Sequence, residues 1–416
     1  MTDLHERLDE LKERGLYRRM RLVSGPQGPR VVLDGKPVVL LCSNNYLGLA
    51  DHPRVREAAA DAAMRWGVSA GASRLVSGTM TIHRRLEERL ASFKGSATSL
   101  LFGSGYLANL GIVGTLAGPG DVVFSDELNH ASIIDGCRLA RAETFVYRHG
   151  DVEHLAWGLA QAEGRGALIV TDGVFSMDGD VAPLAEIVEL AHRHDVRVMV
   201  DEAHATGALG PGGRGAVAEA GLSEEVDMVV GTLGKALGSY GAYACCSTEL
   251  AAWLTNSART LIYSTAPAPP AVAGALAALE LVADEPRRVE RLAANARVMR
   301  DALAREGFQT AGSTTQIIPL IVGEASQAVR LADAAIERGV FAQAIRPPTV
   351  PTGTSRLRLA VMASHGKEEL RAAARALARA ALKVGFRPAT GMPLAAVQGP
   401  VGPFDGQARE PARRAA

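Results

Sequence analysis

A single lysine, Lys235, lies in the glycine-rich stretch GTLGKALGS, Gly231–Ser239. The chain has six lysines and 39 arginines, so a lysine here suggests chemistry that arginine cannot perform. Arginine stays protonated in proteins, whereas a partly desolvated lysine can lose its proton and act as a nucleophile. Glycines let the backbone approach a ligand closely. The stretch therefore predicts a nucleophilic lysine, with an ordinary solvated loop lysine as the alternative.

Polar residues follow several apolar runs that are typical of strands. Asp201 ends the run VRVMV and His204 comes three residues later, while His130, Ser176 and Thr232 follow or end other runs. A carboxylate at the end of a buried strand is unfavourable unless a cation pairs with it. For Asp201 alone, capping of the next helix is an equal alternative. A lone histidine is more often structural.

The stretch LLFGSGYLAN has a glycine-rich turn before a predicted helix that starts near Gly105 and Tyr106. Such a turn can bind phosphate, because free backbone N–H groups and the helix dipole favour anions. By itself the signal is weak, since short glycine turns are common. With the carboxylate, the two histidines and the lysine, it matches pyridoxal 5'-phosphate (PLP), whose aldehyde condenses with lysine and whose ring nitrogen pairs with a carboxylate. The combination predicts a PLP site in which Lys235 binds the cofactor covalently.

These residues can lie close together only if the strands that they follow end at the same edge of a sheet. From about residue 53 to 285, short apolar runs such as ALIVTDGVFS and DMVVGTLGK alternate with helical stretches such as PLAEIVELAHRHD. This alternation predicts an α/β fold with a mostly parallel sheet that helices cover on both faces. Sheets of this kind bind ligands at the carboxyl ends of their strands, which is where the candidate residues would lie.

The chain of 416 residues is long enough for two or three domains. We expect a helix and a hairpin over residues 1–52, with the hairpin turn at Asp34-Gly35. A large PLP-binding domain would span residues 53–285, and a smaller α+β C-terminal domain would span residues 286–387. Residues 388–416 are rich in Pro, Gly and Ala without periodicity, which predicts a disordered tail.

Composition narrows the class of protein. Hydrophobic residues make up 47% of the chain, charged residues make up 22%, and the formal net charge is zero, so neither nucleic acid nor a membrane is expected as a partner. The four cysteines have no C-x-x-C spacing, so no metal site or disulfide framework is predicted, and the adjacent Cys245 and Cys246 are expected to be buried. Without a signal peptide or a run of about 18 apolar residues, we expect a cytoplasmic protein.

The chain resembles the α-oxoamine synthases, a family of fold type I PLP-dependent enzymes, from about Leu11 to Arg387. The motifs that carry the resemblance are SNNYLGL, LNHASIIDG, TDGVFSMDGD, VDEAHATGALG, GTLGKALGS and LIYSTAPAP. It implies a mostly parallel seven-stranded sheet in the large domain, a smaller C-terminal domain and a homodimer. The segment AIRPPTVPTGTSRLRLAVMASH, Ala344–His365, favours the members that condense L-alanine with a pimeloyl thioester of coenzyme A or acyl carrier protein, in biotin biosynthesis.

The resemblance also assigns roles at the reacting centre. Lys235 matches the lysine that binds the cofactor and acts as a base, and Asp201 matches the carboxylate on the pyridinium nitrogen. His204 matches the histidine beside the phenolic oxygen, and His130 matches the one stacked over the ring. By this comparison Lys235, His130 and Asp201 are the catalytic residues.

Other matched positions concern cofactor contacts and the substrates. The further cofactor contacts are Gly105, Tyr106 (where many relatives have Phe), Ser176, Thr232 towards the phosphate, and Ser264 and Thr265 across a dimer interface. The substrate contacts are Arg358 on the carboxylate of the amino acid, and Arg18 and Thr349 on the acyl group, although Arg19 and Arg21 lie close enough in sequence to replace Arg18.

Several alternatives stay open at this point. A sister enzyme would use glycine and a shorter acyl thioester, and an aminotransferase could share the fold. A non-catalytic partner subunit would lack the lysine, which is present here together with Asp201 and His204. Arg358 could instead be a surface arginine, although the alternation RLRL places it on one face of a strand with Arg356. For Asn44 and His83 we expect structural roles.

Overall fold

The structure is a computed structural model that describes residues 3–162, 164–310 and 312–387. The disordered tail expected over residues 388–416 lies outside the described residues. Within these ranges, no helix combines the length and the apolar character that crossing a membrane would require.

Strands in the described part of the chain form a large sheet and two smaller ones. In chain order the strands are β1 (Val23–Ser24), β2 (Arg30–Leu33), β3 (Lys36–Leu40), β4 (Thr98–Phe102), β5 (Val122–Asp126), β6 (Glu143–Tyr147), β7 (Gly166–Asp172), β8 (Arg197–Asp201), β9 (Met228–Thr232), β10 (Ala242–Cys246), β11 (Ile317–Gly323), β12 (Val340–Phe341), β13 (Gln343–Ile345) and β14 (Ser355–Ala360).

Helices connect most of these strands. In chain order the α-helices are α1 (Leu4–Glu13), α2 (Pro53–Trp66), α3 (Thr81–Lys94), α4 (Gly105–Leu116), α5 (Ala131–Ala140), α6 (Val152–Gln161), α7 (Leu184–His194), α8 (Ala216–Glu219), α9 (Thr248–Ser257), α10 (Arg259–Ile262), α11 (Pro269–Asp284), α12 (Arg287–Arg305), α13 (Ala325–Ile336) and α14 (Lys367–Lys383). A π-helical turn spans Arg74–Gly78 and a 3₁₀ turn spans Pro211–Gly213.

The large sheet has the order β4–β10–β9–β8–β7–β5–β6, in which β10 runs antiparallel to both of its neighbours and the other pairs are parallel. The predicted seven-stranded, mostly parallel sheet is thus confirmed. Alternate residues of a strand face opposite sides, so Val198 and Val200 join one hydrophobic cluster and Met199 joins another. Burial on both faces explains why these strands are continuous apolar runs. Cys245 and Cys246 on β10 are buried, as expected.

The N-terminal hairpin joins the C-terminal part of the chain. Asp34 and Gly35 have positive φ angles of 48° and 82°, as a two-residue hairpin turn requires, and the predicted turn is confirmed. Strand β3 pairs in parallel with β12. Leu41 packs in the hydrophobic cluster of the antiparallel sheet β11–β14–β13 and its helices. Residues from both ends of the described chain therefore share one core.

A buried ion pair fixes the chain directly after β8. Lys94, at the end of α3, donates hydrogen bonds to the Glu202 carboxylate, to Thr206 Oγ1 at 2.9 Å and to the Arg214 carbonyl oxygen at 2.6 Å. The side chains of Lys94 and Glu202 are almost completely shielded from solvent. Because Glu202 follows Asp201 in the chain, this pair also holds the strand end that carries the candidate carboxylate.

We predict that Lys94→Met lowers the free energy of unfolding by about 3–5 kcal/mol, because it leaves the Glu202 carboxylate buried without its cation. The matched control is Lys383→Met, which breaks an exposed pair with Glu337 on the protein surface. Urea unfolding followed by circular dichroism should show a large loss of stability for the first variant and little change for the second. Equal midpoints for the two variants would contradict the prediction.

Candidate active site

Three neighbouring strands of the large sheet end in polar residues at the same edge. Asp172 ends β7, Asp201 ends β8 and Thr232 ends β9, and Asp172 lies directly beside Asp201 in the parallel register. Lys235 and His204 follow in the loops after these strands. The sheet thus brings together at its carboxyl edge the residues that the sequence placed there.

The amine of Lys235 lies inside this edge rather than in solvent. The side chain is half-buried, and its Nζ lies 2.8 Å from His204 Nε2. Burial lowers the pKa of Lys235 from 10.5 to about 8; the Arg358 charge acts in the same direction and the Asp201 charge opposes it. The solvated-loop alternative therefore does not describe this residue. A lysine with this pKa is partly deprotonated near neutral pH, as nucleophilic and general-base roles require.

His204 is a buried, neutral imidazole that links Lys235 to Tyr46. Its Nδ1 lies 2.6 Å from the Tyr46 hydroxyl, and its carbonyl oxygen accepts a 2.9 Å hydrogen bond from Gln316. Burial lowers its pKa well below 6.5, and the charges of Lys235 and Arg358 lower the pKa further. Because both ring nitrogens have partners, the ring orientation is fixed.

Asp201 is a buried carboxylate without a cationic partner. It is 5% exposed, and it accepts hydrogen bonds from Asn109 Nδ2 at 2.6 Å and from the Ala203 backbone N–H at 2.8 Å. Among the described residues, no lysine, arginine or histidine nitrogen lies within ion-pair distance of it. The next helix, α8, begins only at Ala216, so the helix-cap alternative is wrong. Two neutral donors orient a charge that a pyridinium nitrogen could neutralise.

His130 stands at the start of α5 with its ring partly exposed. Its Nδ1 lies 2.7 Å from Ser132 Oγ, and its ring packs edge-on against Tyr106 with the centroids 6.5 Å apart. Partial burial lowers the pKa of His130 below 6.5; the Lys235 charge also lowers it, whereas the Asp201 charge raises it.

The first turn of α4 offers an anion site of the predicted kind. Ser104 caps the helix by accepting a hydrogen bond from the Leu107 N–H, and a side-chain carbon added at Gly105 would meet no atom within 4 Å. There is therefore free space beside Gly105 at the N-terminus of this helix. Tyr106 donates a hydrogen bond to Asp135. Thr232 accepts a hydrogen bond from the Gly234 N–H at 3.2 Å and donates one to the Gly241 carbonyl oxygen at 3.1 Å.

Arg358 is buried, at 6% exposure, at the same site. It donates hydrogen bonds to the Ser176 carbonyl oxygen at 2.5 Å, to Asn44 Oδ1 at 3.1 Å and to the Tyr46 hydroxyl at 3.2 Å. The surface-arginine alternative is therefore wrong. Its neighbour Arg356 is also buried and forms an ion pair with Asp178, in the loop that follows β7. Ser176 joins this site through its backbone.

Asn44 contacts this arginine, although a structural role was expected for it. His83 fits the structural expectation, since its Nε2 lies 2.8 Å from the Pro267 carbonyl oxygen and its Nδ1 accepts a hydrogen bond from the Met80 N–H. The side chain of Thr265 is exposed, and its segment pairs with Ser73 in an isolated bridge.

Arg18 and Thr349 lie on the surface near Arg346. Arg346 donates hydrogen bonds to the carbonyl oxygens of Gly15 and Tyr17, and its own carbonyl oxygen accepts one from the Thr349 N–H at 3.1 Å. This arginine thus brings the N-terminal segment next to the loop that follows β13. The two positions matched to the acyl group are therefore neighbours, outside the cluster around Lys235.

Sequence reasoning missed three residues of the site. Tyr46 and Asn109 contact the expected cofactor residues, and Asp172 stands beside Asp201 with its Oδ2 unpartnered within the described part of the chain. Burial and the Asp201 charge raise the pKa of Asp172 well above 3.8. Asp172 could have been found, because it ends an apolar run just as Asp201 does.

The polar groups at this edge of the sheet fit PLP. The site provides a desolvated amine at Lys235, a buried carboxylate at Asp201 that pairs with no cation in the described part of the chain, and a helix N-terminus with free space beside Gly105. No group of three or more metal-ligating side chains occurs among the described residues. The arrangement can therefore hold an aldehyde, a pyridine nitrogen and a phosphate in one pocket.

Comparisons with known proteins agree with this assignment. Residues 36–377 match the model of the aminotransferase class I and II family. The chain is 53% identical to the 8-amino-7-oxononanoate synthase of Geobacter sulfurreducens over 91% of this chain and 98% of that protein. A serine palmitoyltransferase variant from S. paucimobilis, solved with a bound PLP–myriocin aldimine, is 32% identical, with a TM-score of 0.87 over 92% of this chain and 97% of its own. The 8-amino-7-oxononanoate synthase from Francisella tularensis is 26% identical, with a TM-score of 0.72 over 83% and 98%.

The chain therefore belongs to the aminotransferase class I and II family, with the fold type I architecture and PLP as its cofactor. The identity of 53% to the Geobacter protein exceeds the 32% to the serine palmitoyltransferase. Within the family the chain groups with the 8-amino-7-oxononanoate synthases, PLP-dependent C-acyltransferases of biotin biosynthesis.

We predict that the cofactor-free protein takes up PLP at Lys235 faster as the pH rises through about 8, because the neutral amine attacks the aldehyde. Borohydride quenching at timed intervals, followed by peptide mass spectrometry, would measure the rate. Lys367, which is exposed on α14, serves as the internal reference for a solvated lysine. A midpoint for Lys235 near 10.5, its ordinary value, would contradict the burial of the amine.

Proposed function

We propose that the protein catalyses the decarboxylative condensation of L-alanine with a pimeloyl thioester, which gives 8-amino-7-oxononanoate, CO2 and the free thiol. The main support is the hydrogen-bonded path from Lys235 through His204 and Tyr46 to Arg358. This path joins the amine that would react to the guanidinium that would hold the amino acid. The names of the curated relatives supply the substrate class.

Arg358 is suited to the carboxylate of alanine. A guanidinium carries five N–H donors, and three of them already donate to Ser176, Asn44 and Tyr46. One N–H remains on each terminal nitrogen, and together these can bind a carboxylate in the bidentate geometry. The three existing bonds fix the plane of the guanidinium, and hence the orientation of the bound alanine.

Lys235 would act as the base that removes the α-proton of alanine. Bound PLP supplies an electron sink for the negative charge that develops at the α-carbon of alanine. The amine of Lys235, with a pKa of about 8, is matched to removing the α-proton near neutral pH. Asp201 would hold a proton on the ring nitrogen of the cofactor, and the neutral His204 keeps the lysine amine in position.

The acyl group would enter from the side where Arg18 and Thr349 lie. His130 would support the ring face and donate a hydrogen bond to the thioester carbonyl oxygen. Formation of the carbon–carbon bond would break the carbon–sulfur bond of the thioester and release the thiol. Loss of CO2 from the alanine carboxylate would follow, and the α-carbon would then take a proton back from Lys235. Gly105, Tyr106, Ser176 and Thr232 would complete the contacts with the cofactor, and a cytoplasmic location is part of the same proposal.

The partner that covers the Thr265 segment would be a second copy of this chain. Thr265 is exposed and pairs with Ser73, which directly precedes the π-helical turn Arg74–Gly78. Val76 in this turn is 80% exposed, and Tyr263 beside Thr265 is 71% exposed. Large apolar side chains around one polar segment are typical of an interface. In the homodimer, Thr265 would reach the phosphate in the site of the partner subunit.

The substrate assignment predicts a specific pattern of products. With PLP, the protein should release thiol and form 8-amino-7-oxononanoate from L-alanine and pimeloyl-CoA or pimeloyl-acyl carrier protein, as measured by thiol titration and mass spectrometry. Lys235→Arg should reduce the rate at least about a hundredfold, because it keeps the charge and removes the base. Arg375→Lys, on the exposed face of α14, is the control. Faster turnover of glycine with acetyl- or succinyl-CoA would assign a sister activity instead.

The homodimer predicts complementation between two inactive variants. Lys235→Ala removes the amine, and Thr265→Glu places a negative charge against the phosphate. If Thr265 acts in the partner's site, the mixed dimer has one site with neither substitution, and co-expression should restore activity. The control pair, Lys235→Ala with Asp201→Ala, should stay inactive because both residues belong to the same site. An inactive first pair would place Thr265 within its own subunit's site, and an active Thr265→Glu homodimer would place it outside both sites.

A further inference from the structure

Asn109 connects the carboxylate at the ring nitrogen to the histidine over the ring. It is 1% exposed, and its Nδ2 donates hydrogen bonds to Asp201 Oδ2 at 2.6 Å and to Ser132 Oγ at 2.9 Å. The ionised carboxylate accepts hydrogen bonds only, so it fixes which side of the amide faces it. The two hydrogens of the amide nitrogen are then both committed.

Ser132 connects this oriented amide to the ring of His130. Its hydroxyl oxygen accepts from Asn109, which directs its own hydrogen to His130 Nδ1 at 2.7 Å. The backbone N–H of Ser132 points at the same nitrogen, at 3.3 Å. A ring nitrogen that faces two donors must present its lone pair, so the proton of the neutral imidazole lies on Nε2.

We propose that the chain Asp201–Asn109–Ser132 locks His130 in the tautomer with the proton on Nε2. Asn109 and Ser132 are then positioning residues for the histidine, and this inference rests on the proposed function for its catalytic consequence. Among the described residues, His130 Nε2 makes no hydrogen bond, so its N–H stays available to a substrate.

The lock also disfavours the imidazolium, because a second proton would have to sit on Nδ1 against the two donors of Ser132. The charged and titratable groups around His130 are Lys235, Asp201, Asp172, His204 and Tyr106. The opposed charges of Lys235 and Asp201 partly offset each other there. His130 would therefore act as a fixed neutral donor towards the thioester carbonyl oxygen, while proton removal is left to Lys235.

The tautomer can be measured without cofactor or substrate. Protein labelled with ¹⁵N-histidine would be examined by two-bond ¹H–¹⁵N NMR over a pH titration, and the His130 signals assigned by their loss in His130→Gln. His83 is the internal reference, because its Nδ1 also accepts a backbone N–H and its Nε2 lies beside a carbonyl oxygen. We expect the unprotonated nitrogen of His130 to be Nδ1. A proton on Nδ1 in the unmodified protein would overturn the proposal by itself.

Two substitutions test the chain of donors. Ser132→Ala removes the hydroxyl, so it should raise the pKa of His130 and mix its two tautomers. Asn109→Leu should have the same effect, because the Ser132 hydroxyl would then rotate freely. Ser132→Thr keeps the hydroxyl and should preserve the unmodified spectrum, and His83 should titrate identically in all variants. An unchanged His130 titration in folded Ser132→Ala would refute the lock. Because these spectra require no turnover, a failure of the substrate assignment would leave them unaffected.

Discussion

The transfer of a lysine amine out of water is the constraint on which the rest of the site depends. Near a buried neutral histidine and a buried arginine, the ammonium form of Lys235 loses stability, and its pKa falls to about 8. The opposing charge of Asp201 keeps this fall moderate, and no other cation in the described ranges forms an ion pair with that carboxylate. Neutral hydrogen bonds hold it instead. Lysine and carboxylate can then bind the two ends of one cofactor without neutralising each other.

The parallel sheet provides the rigidity that this balance requires. Three strands end side by side, and each ends in a polar side chain. Directly behind Asp201, the Lys94–Glu202 pair anchors the loop to α3. On the other side, Arg356 and Arg358 connect the C-terminal sheet to the loop that follows β7. The candidate site thus lies where the large sheet meets the C-terminal sheet, and such boundaries are a common place for a binding site.

The sequence predicts those parts of the site that depend on local order along the chain. Asp201, His130 and Lys235 could be predicted as site residues because they follow apolar runs, and the alternation of strands and helices predicted the sheet. Asn109 and Tyr46 could not be found in this way, because their partners are distant in sequence and only the folded chain brings them together. The burial of Arg358 was undecided for the same reason. An alternating strand pattern shows which residues share a face, but it does not show whether that face is covered.

The pairing of β3 with β12 has a consequence for biosynthesis. Val39 pairs with Val340, so the first hairpin leaves the ribosome long before its neighbour in the sheet has been translated. During that interval one edge of the hairpin stays open, and open strand edges are prone to adhere to other nascent chains. The C-terminal core likewise stays incomplete if the early residues are removed. A shortened polypeptide that starts after the hairpin would therefore expose the apolar surface that Leu41 helps to cover.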